Sequence, residues 1–267
     1  MLKFSKQLFM NIKYKLIQLR VNLRKKSKYI MEHIIKVHID RWRKISKNEI
    51  CIFCSSKNDL TKEHVLPKWT FGNNPNDFFI TNINLQSQKY IKTTIPCCAN
   101  CNNNYLSYLE KYITELFYDN LRKTIYNFTN DNFENIIRWL EIIEYKFQVL
   151  EVRRKFNKHK SNNFIKYISN YPISVFSWNG SPNKVITQIR NSIKNITIKS
   201  KEKKLNSLII FKSNNKTFFF SHNLNEYIFL DLPKFNIALF YFYDKEFVNN
   251  IDAYNYSMEI IANIYKK

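Results

Sequence analysis

Two Cys-x-x-Cys pairs constrain the fold of this chain more than any other feature of its sequence. The first pair is Cys51 with Cys54, and the second is Cys98 with Cys101, with 43 residues between them. Each pair can place two thiolates on one ion, and two pairs complete a tetrahedral zinc site. The basic start of the chain is not typical of a secretory signal, so a disulfide framework is not expected. The sequence therefore predicts a structural Zn²⁺ whose four ligand positions are filled by protein.

The fifth cysteine, Cys97, directly precedes the second pair. It could replace Cys98 only through a longer Cys-x3-Cys turn. We therefore expect Cys97 to be a packed or free thiol rather than a zinc ligand.

The charge of the chain is large and unevenly distributed. The net charge is +22, and residues 1–50 contain 14 basic against 3 acidic residues, while residues 151–200 contain 10 against 1. Residues 51–150 are balanced, with 10 of each sign. Such an excess favours a polyanionic partner. DNA is the first choice, RNA stays open, and an anionic membrane is less favoured.

Scarcity of glycine excludes several function classes. The chain has 2 glycines, Gly72 and Gly180, whereas a dinucleotide-binding fingerprint and a phosphate-binding P-loop both need closely spaced glycines. The longest apolar run, Ile237–Tyr243, is far too short to cross a bilayer. A cytoplasmic location is therefore expected.

The first basic block has helical periodicity. Its apolar residues recur at intervals of three and four, which places them on one helix face: Phe9, Ile12, Leu16, Leu19 and Leu23. A nucleic-acid-binding arm is the favoured interpretation. An organelle transit peptide and a membrane-surface helix are the alternatives.

The segments beside the two cysteine pairs carry a recognisable pattern. Glu63-His64-Val65-Leu66-Pro67 follows the first pair, and Asn102-Asn103-Asn104 directly follows the second. The order Cys-x2-Cys, Glu-His-Val-x-Pro, Cys-x2-Cys-Asn-Asn resembles the zinc-containing branch of the HNH endonuclease family, over roughly residues 48–120. This resemblance implies a ββα-metal core, in which a two-stranded hairpin and a helix enclose a catalytic divalent ion.

The resemblance also implies roles for single residues. Glu63 matches a metal ligand, and a carboxylate suits Mg²⁺ or Mn²⁺. Asn102 matches the second ligand, with Asn103 as the alternate. His64 matches the general base that activates water for hydrolysis of a DNA phosphodiester. The plain alternative for the asparagines is capping of a helix that starts there, since Asn is a favoured N-cap residue.

The middle HNH residue is the least defined. In the family, an Asn from the hairpin loop orients the histidine base. Asn84, within Ile83-Asn84-Leu85, resembles that position, although it lies far from the second cysteine pair. The same loop offers other candidates: Asn73, Asn74, Asn76 and Asn82.

The sequence predicts an α+β protein with three parts. Residues 1–47 form the basic helical arm, residues 48–125 the HNH core with zinc, and residues 126–267 an accessory domain of helices and mostly antiparallel sheet. Helices are expected at residues 133–152 and Asp252–Tyr265. Short runs rich in Ile, Val, Phe and Tyr predict strands: Ile173–Trp178, Lys184–Arg190, Ser207–Phe211, Thr217–Ser221, Tyr227–Leu230 and Ile237–Tyr243.

Two functional classes follow from these patterns. The first is a metal-dependent HNH endonuclease acting on DNA, of the kind that serves phage defence, restriction or mobile elements. The second is a catalytically inert zinc module that binds nucleic acid. A protein partner or a homo-oligomer stays open in both cases.

Overall fold

The computed structural model describes residues 2–42, 49–71, 78–81, 86–121, 127–158, 164–165, 171–172 and 182–265. These residues form helices and antiparallel sheets, which confirms the α+β class. The helices are α1 (Leu2–Trp42), α2 (Lys68–Phe71), α3 (Ala99–Cys101), α4 (Ser107–Leu121), α5 (Asn130–Lys158), α6 (Pro182–Thr197) and α7 (Asn250–Tyr265). The strands are β1 (Leu60–His64), β2 (Phe78–Thr81), β3 (Gln86–Lys89), β4 (Thr94–Cys98), β5 (Phe164–Ile165), β6 (Tyr171–Pro172), β7 (Leu208–Lys212), β8 (Phe219–Asn223), β9 (Tyr227–Leu232) and β10 (Ile237–Phe242).

The chain divides into two compact units, each built from three segments. Unit one contains Met1–Val65, Thr94–Ser107 and Glu144–Thr197, and unit two contains Leu66–Thr93, Tyr108–Ile143 and Ile198–Lys267. The division into domains at residues 1–47, 48–125 and 126–267 stays a prediction.

Unit one contains both cysteine pairs. Strand β1 pairs antiparallel with β4, with Leu60 opposite Cys98 and His64 opposite Thr94. The chain then passes directly from β4 into α3 and a π-helical turn, Asn102–Leu106. Two antiparallel strands are thus followed by a helix. The first strand ends at His64, and Val65 and Leu66 form a bend after it.

Helix α1 is a structural part of unit one. It packs along α6, and the Arg24 side chain donates a hydrogen bond to the Thr197 carbonyl over 2.6 Å. Its buried side carries four of the predicted periodic residues, Ile12, Leu16, Leu19 and Leu23, and continues beyond them with Ile30, Met31 and Ile34. The described part of the apolar face of α1 is thereby covered by protein, whereas Lys13, Lys25, Lys26 and Lys28 are exposed.

Helix α6 replaces a predicted strand. The run Lys184–Arg190 is rich in β-branched residues, which favoured a strand, but it lies within α6. Over residues 187–197 of the helix, where burial is described, the buried residues recur about once per helical turn: Ile189, Ser192, Ile193, Ile196 and Thr197. This helical spacing matches the face that meets α1, so tertiary packing overrides intrinsic propensity. The predicted strand Ile173–Trp178 and the Asn84 loop lie outside the described residues.

Unit two contains a four-stranded antiparallel sheet in the order β7-β10-β9-β8. These strands correspond to the last four strands predicted from sequence. Helix α7 packs against the sheet, where Ala253 joins a core that includes Ile209, Phe229 and Phe240. The predicted C-terminal helix and antiparallel sheet are confirmed.

The first half of α5 carries a buried ion pair in unit two. Glu141 and Lys201 each expose 3% of their side chains, and Glu141 Oε2 lies 2.5 Å from Lys201 Nζ. The Tyr241 hydroxyl donates a hydrogen bond of 3.0 Å to Glu141 Oε1. Burial, followed by the Glu141 charge, raises the pKa of Tyr241 well above its usual range, so the hydroxyl stays a donor.

Candidate metal centre

Four cysteines of unit one converge on a single point. The Sγ atoms of Cys51, Cys54, Cys98 and Cys101 all lie within 4.8 Å of one another, and those of Cys54 and Cys98 are 3.5 Å apart. Sulfurs at the corners of a zinc tetrahedron are about 3.8 Å apart, given a Zn–S bond of about 2.3 Å. The cluster can therefore hold a metal ion such as zinc.

The first cysteine pair sits on a tight turn. The Cys51 amide donates to the Ser56 carbonyl over 2.8 Å, and the Ser55 amide donates to the Cys51 carbonyl over 2.9 Å. Ser55 has a φ of 66°, in the left-handed region that costs non-glycine residues free energy. The Ala99 amide donates to the Asp59 carbonyl over 2.8 Å, which connects the exit of this turn to the second pair.

The second pair forms the beginning of a helix. Cys98 is the N-cap of α3, and its Sγ accepts a hydrogen bond of 3.4 Å from the Cys101 amide. The alternative that Asn102–Asn104 cap this helix is wrong, because the sulfur of Cys98, four residues before Asn102, takes the capping role. A ligand sulfur that accepts an amide hydrogen bond is held in a fixed orientation, as at many metal sites.

The clustered thiols change the pKa values of one another. A hydrogen bond with Cys101, and then those with Cys54 and Cys97, lower the pKa of Cys51 strongly. The hydrogen bonds with Cys51 and Cys54, followed by burial, raise the pKa of Cys101. A hydrogen bond with Cys101 lowers the pKa of Cys54, but the one with Cys51 and burial together raise it to about 12. Metal binding must therefore displace thiol protons, which makes the affinity for metal increase with pH.

Cys97 lies beside the cluster without joining the four mutually close sulfurs. It is fully buried, and its thiol donates to the Cys98 carbonyl over 3.6 Å. Consecutive residues of a strand point to opposite faces, which separates Cys97 from Cys98 on β4. The hydrogen bond with Cys51, followed by burial, raises the pKa of Cys97. It therefore stays a neutral packed thiol.

Glu63 is buried and paired with a lysine. Only 8% of the residue is exposed, and its Oε1 accepts a hydrogen bond from Lys146 Nζ of α5. The Lys146 side chain is 1% exposed. The predicted metal ligand therefore has a cationic partner within the protein itself, and Oε1 is the oxygen engaged.

His64 is the last residue of β1 and is half-buried. Its carbonyl accepts a second hydrogen bond from Lys146 Nζ, of 3.1 Å. The imidazole and the Glu63 carboxylate leave the strand on opposite sides, because they belong to consecutive strand residues. Lys146 thus contacts both residues of the Glu-His pair, one through its side chain and the other through its backbone.

Asn102 lies on the Glu63 side of β1. Its Nδ2 donates to Thr61 Oγ1 over 3.2 Å, and Thr61 in turn donates to the Cys97 carbonyl over 2.9 Å. Thr61 and Glu63 are two residues apart in the strand, so their side chains share one face about 7 Å apart. Asn102 belongs to the π-helical turn, a feature that is frequent at functional sites.

The donor set near Glu63 suits a hard divalent cation. A carboxylate and an amide oxygen are typical ligands of Mg²⁺ and Mn²⁺. Since Asn102 uses its Nδ2 toward Thr61, its Oδ1 can face an ion. Asn103 is exposed and its carbonyl accepts from the Ser107 hydroxyl, so Asn102 is the better placed of the two.

No known family model matches the chain, and neither does any characterised protein or solved structure. Among the described residues, no helix is long and apolar enough to cross a membrane.

Sequence reasoning missed two residues of the centre, Tyr145 and Lys146. The Tyr145 hydroxyl donates to the Ile52 carbonyl over 2.6 Å, and its ring meets Phe53 edge-on at 5.6 Å. Tyr145 therefore holds the turn between Cys51 and Cys54. Both residues belong to a stretch of α5 that is buried on every side, from Ile136 to Leu150. No local signal distinguishes a lysine there from one on a solvated face.

Proposed function

We propose that this chain is a metal-dependent endonuclease of the HNH type that hydrolyses phosphodiester bonds in DNA. The observation that carries the proposal is the position of Glu63 and Asn102. Both lie on one side of β1, a strand paired with β4, and β4 leads through the cysteine cluster into the helix that carries Asn102. This order of two strands and a helix supports the sequence resemblance.

In the proposed mechanism, the side chains of Glu63 and Asn102 would hold one divalent ion. When bound, Mg²⁺ or Mn²⁺ would supply positive charge to the scissile phosphate and its leaving oxygen. The imidazole of His64 accepts a proton from the attacking water. The zinc cluster keeps β4 and the start of the helix in place, which fixes the position of Asn102.

The basic side of α1 supports DNA as the substrate. Among the residues of α1 whose burial is described, the exposed cations are Lys13, Arg24, Lys25, Lys26 and Lys28. The helix also meets the π-helical turn, where the Tyr105 hydroxyl donates to Gln18 Oε1 over 3.3 Å. These cations therefore belong to the same unit as the proposed centre, and the helix that carries them contacts the turn that carries Asn102.

The test is cleavage of plasmid DNA by the zinc-loaded protein with Mg²⁺ or Mn²⁺. We expect nicking or linearisation that Glu63→Ala, His64→Ala and Asn102→Ala each reduce by at least about a hundredfold. The matched control is Asn104→Ala, since Asn104 is exposed and its side chain donates a hydrogen bond to Asn100 one turn earlier in the helix. Cleavage that persists in His64→Ala would refute the assigned mechanism.

A catalytically inert zinc module is the second candidate. The ion pair between Glu63 and Lys146 favours it, because the carboxylate is satisfied without a metal ion. The opposite directions of the Glu63 and His64 side chains favour it as well. This candidate predicts salt-sensitive DNA binding without cleavage, unchanged by Glu63→Gln.

A further inference from the structure

Lys146 is a buried cation whose described contacts concentrate on the Glu-His pair. Its Nζ donates to Glu63 Oε1 and to the His64 carbonyl, and its side chain is 1% exposed. The residues beside it in α5, Tyr145 and Phe147, are buried as well. A charge in such surroundings is tolerated only with a partner of opposite charge, and Glu63 supplies it.

The same carboxylate is the proposed ligand of the divalent ion. An ammonium group and a metal ion on one carboxylate repel each other, and the repulsion is strong where water is excluded. The ammonium already neutralises Glu63, so the carboxylate has less to gain from an added cation. Lys146 also contacts the His64 backbone, which keeps the end of β1 in one place without any metal.

Building on the proposed function, we propose that Lys146 is an internal counter-ion that competes with the divalent cation for Glu63. It is a positioning residue and touches no reacting atom. In the metal-free protein it stabilises the carboxylate and the end of β1. It weakens metal binding in exchange, so the centre is filled only when the free divalent ion is abundant.

The test uses the full-length, zinc-loaded protein and Mn²⁺ alone as the probe. Two variants remove the charge: Lys146→Gln, which keeps an amide donor, and Lys146→Met, which keeps the aliphatic length. Lys146→Arg keeps the charge and is the matched control. Mn²⁺ affinity is measured by calorimetric titration, and thermal unfolding is measured with and without Mn²⁺.

We expect both neutral variants to bind Mn²⁺ more tightly than the wild type, on the order of tenfold or more. Their unfolding temperature should be lower without Mn²⁺ and should rise more on its addition than that of the wild type, because the metal replaces the missing cation. Lys146→Arg should keep the weak binding of the wild type.

A role in folding alone would give a different result. It predicts a lower unfolding temperature with unchanged or weaker Mn²⁺ binding, and this outcome would overturn the inference. A neutral variant that stays unfolded even with Mn²⁺ present would overturn it too.

Failure of the proposed function is recognised separately, in the wild type and in Glu63→Gln. If the wild-type protein binds Mn²⁺ no better than Glu63→Gln does and cuts no DNA, the nuclease proposal itself is wrong. If it does both and the neutral variants bind no more tightly, only the role of Lys146 is refuted.

Discussion

The ion pair between Glu141 and Lys201 gives the sharpest stability prediction. The change is Lys201→Met, which keeps most of the side-chain volume and removes the charge. Both partners are 3% exposed, so Glu141 would remain as a buried carboxylate with the Tyr241 hydroxyl as its described donor. Loss of one partner from a buried pair costs about 3–5 kcal/mol. That is a large part of the roughly 5–15 kcal/mol by which a domain is stable.

An exposed pair in the same unit is the control. Lys111 and Glu115 are 3.9 Å apart, with side chains 62% and 47% exposed. Lys111→Met should change the free energy of unfolding by no more than about 0.5 kcal/mol. A second variant, Lys201→Met with Glu141→Gln, should recover part of the loss, because a neutral amide is cheaper to bury than a charge.

The assay is urea unfolding of the zinc-loaded protein, followed by tryptophan fluorescence and circular dichroism. The midpoints should separate Lys201→Met from Lys111→Met at equal slopes. If the two variants lose stability by the same amount, the argument from burial is wrong. If the double variant is less stable than Lys201→Met, the loss of stability in Lys201→Met is not caused by the unpaired charge of the buried Glu141 carboxylate.

Three further changes test other parts of unit one. Cys98→Ser should lower zinc stoichiometry, measured by mass spectrometry, because it removes a ligand, while the start of α3 should persist because serine is a favoured N-cap residue; retention of full zinc content would contradict this. Tyr145→Phe should cost about 1–3 kcal/mol by leaving the Ile52 carbonyl without its donor, measured by chemical denaturation, while the ring packing stays. Reversing Lys13 and Lys28 to Glu should weaken DNA binding in a fluorescence assay and lower the salt slope by about two, in contrast to Lys216→Glu.

The cysteine cluster was predictable because the two ligands of each pair lie close together in the sequence. Two thiolates reach one ion only at short spacing, so each Cys-x-x-Cys pair is visible without the fold. The long apolar periodicity of α1 was predictable for the same reason. The capping role of Cys98 was not, since the sequence rule favours the asparagines that follow it.

The ion pair between Glu63 and Lys146 could not be predicted from the sequence. Lys146 lies 83 positions away in a helix whose spacing predicts one apolar face, yet this part of α5 is buried all round. A charged residue there is indistinguishable from a solvated one until the tertiary contacts are known. The strand predicted at Lys184–Arg190 is wrong for a similar reason. Packing of this segment along α1 outweighs the strand preference of its Val and Ile residues, so it forms a helix.

The pairing of β1 with β4 has a consequence for how this protein can vary. His64 and Thr94 are direct partners in the ladder, so the chain leaves β1 and returns to β4 at neighbouring points. Residues 65–93 are therefore an excursion with closely spaced ends, and a change in their length adds little closure entropy. The cysteines, Glu63 and Asn102 all lie outside this excursion, whereas Asn84 lies within it. The segment that contains Asn84, the predicted middle HNH residue, can thus change in length without a change in the pairing of β1 with β4 or in the cysteine cluster.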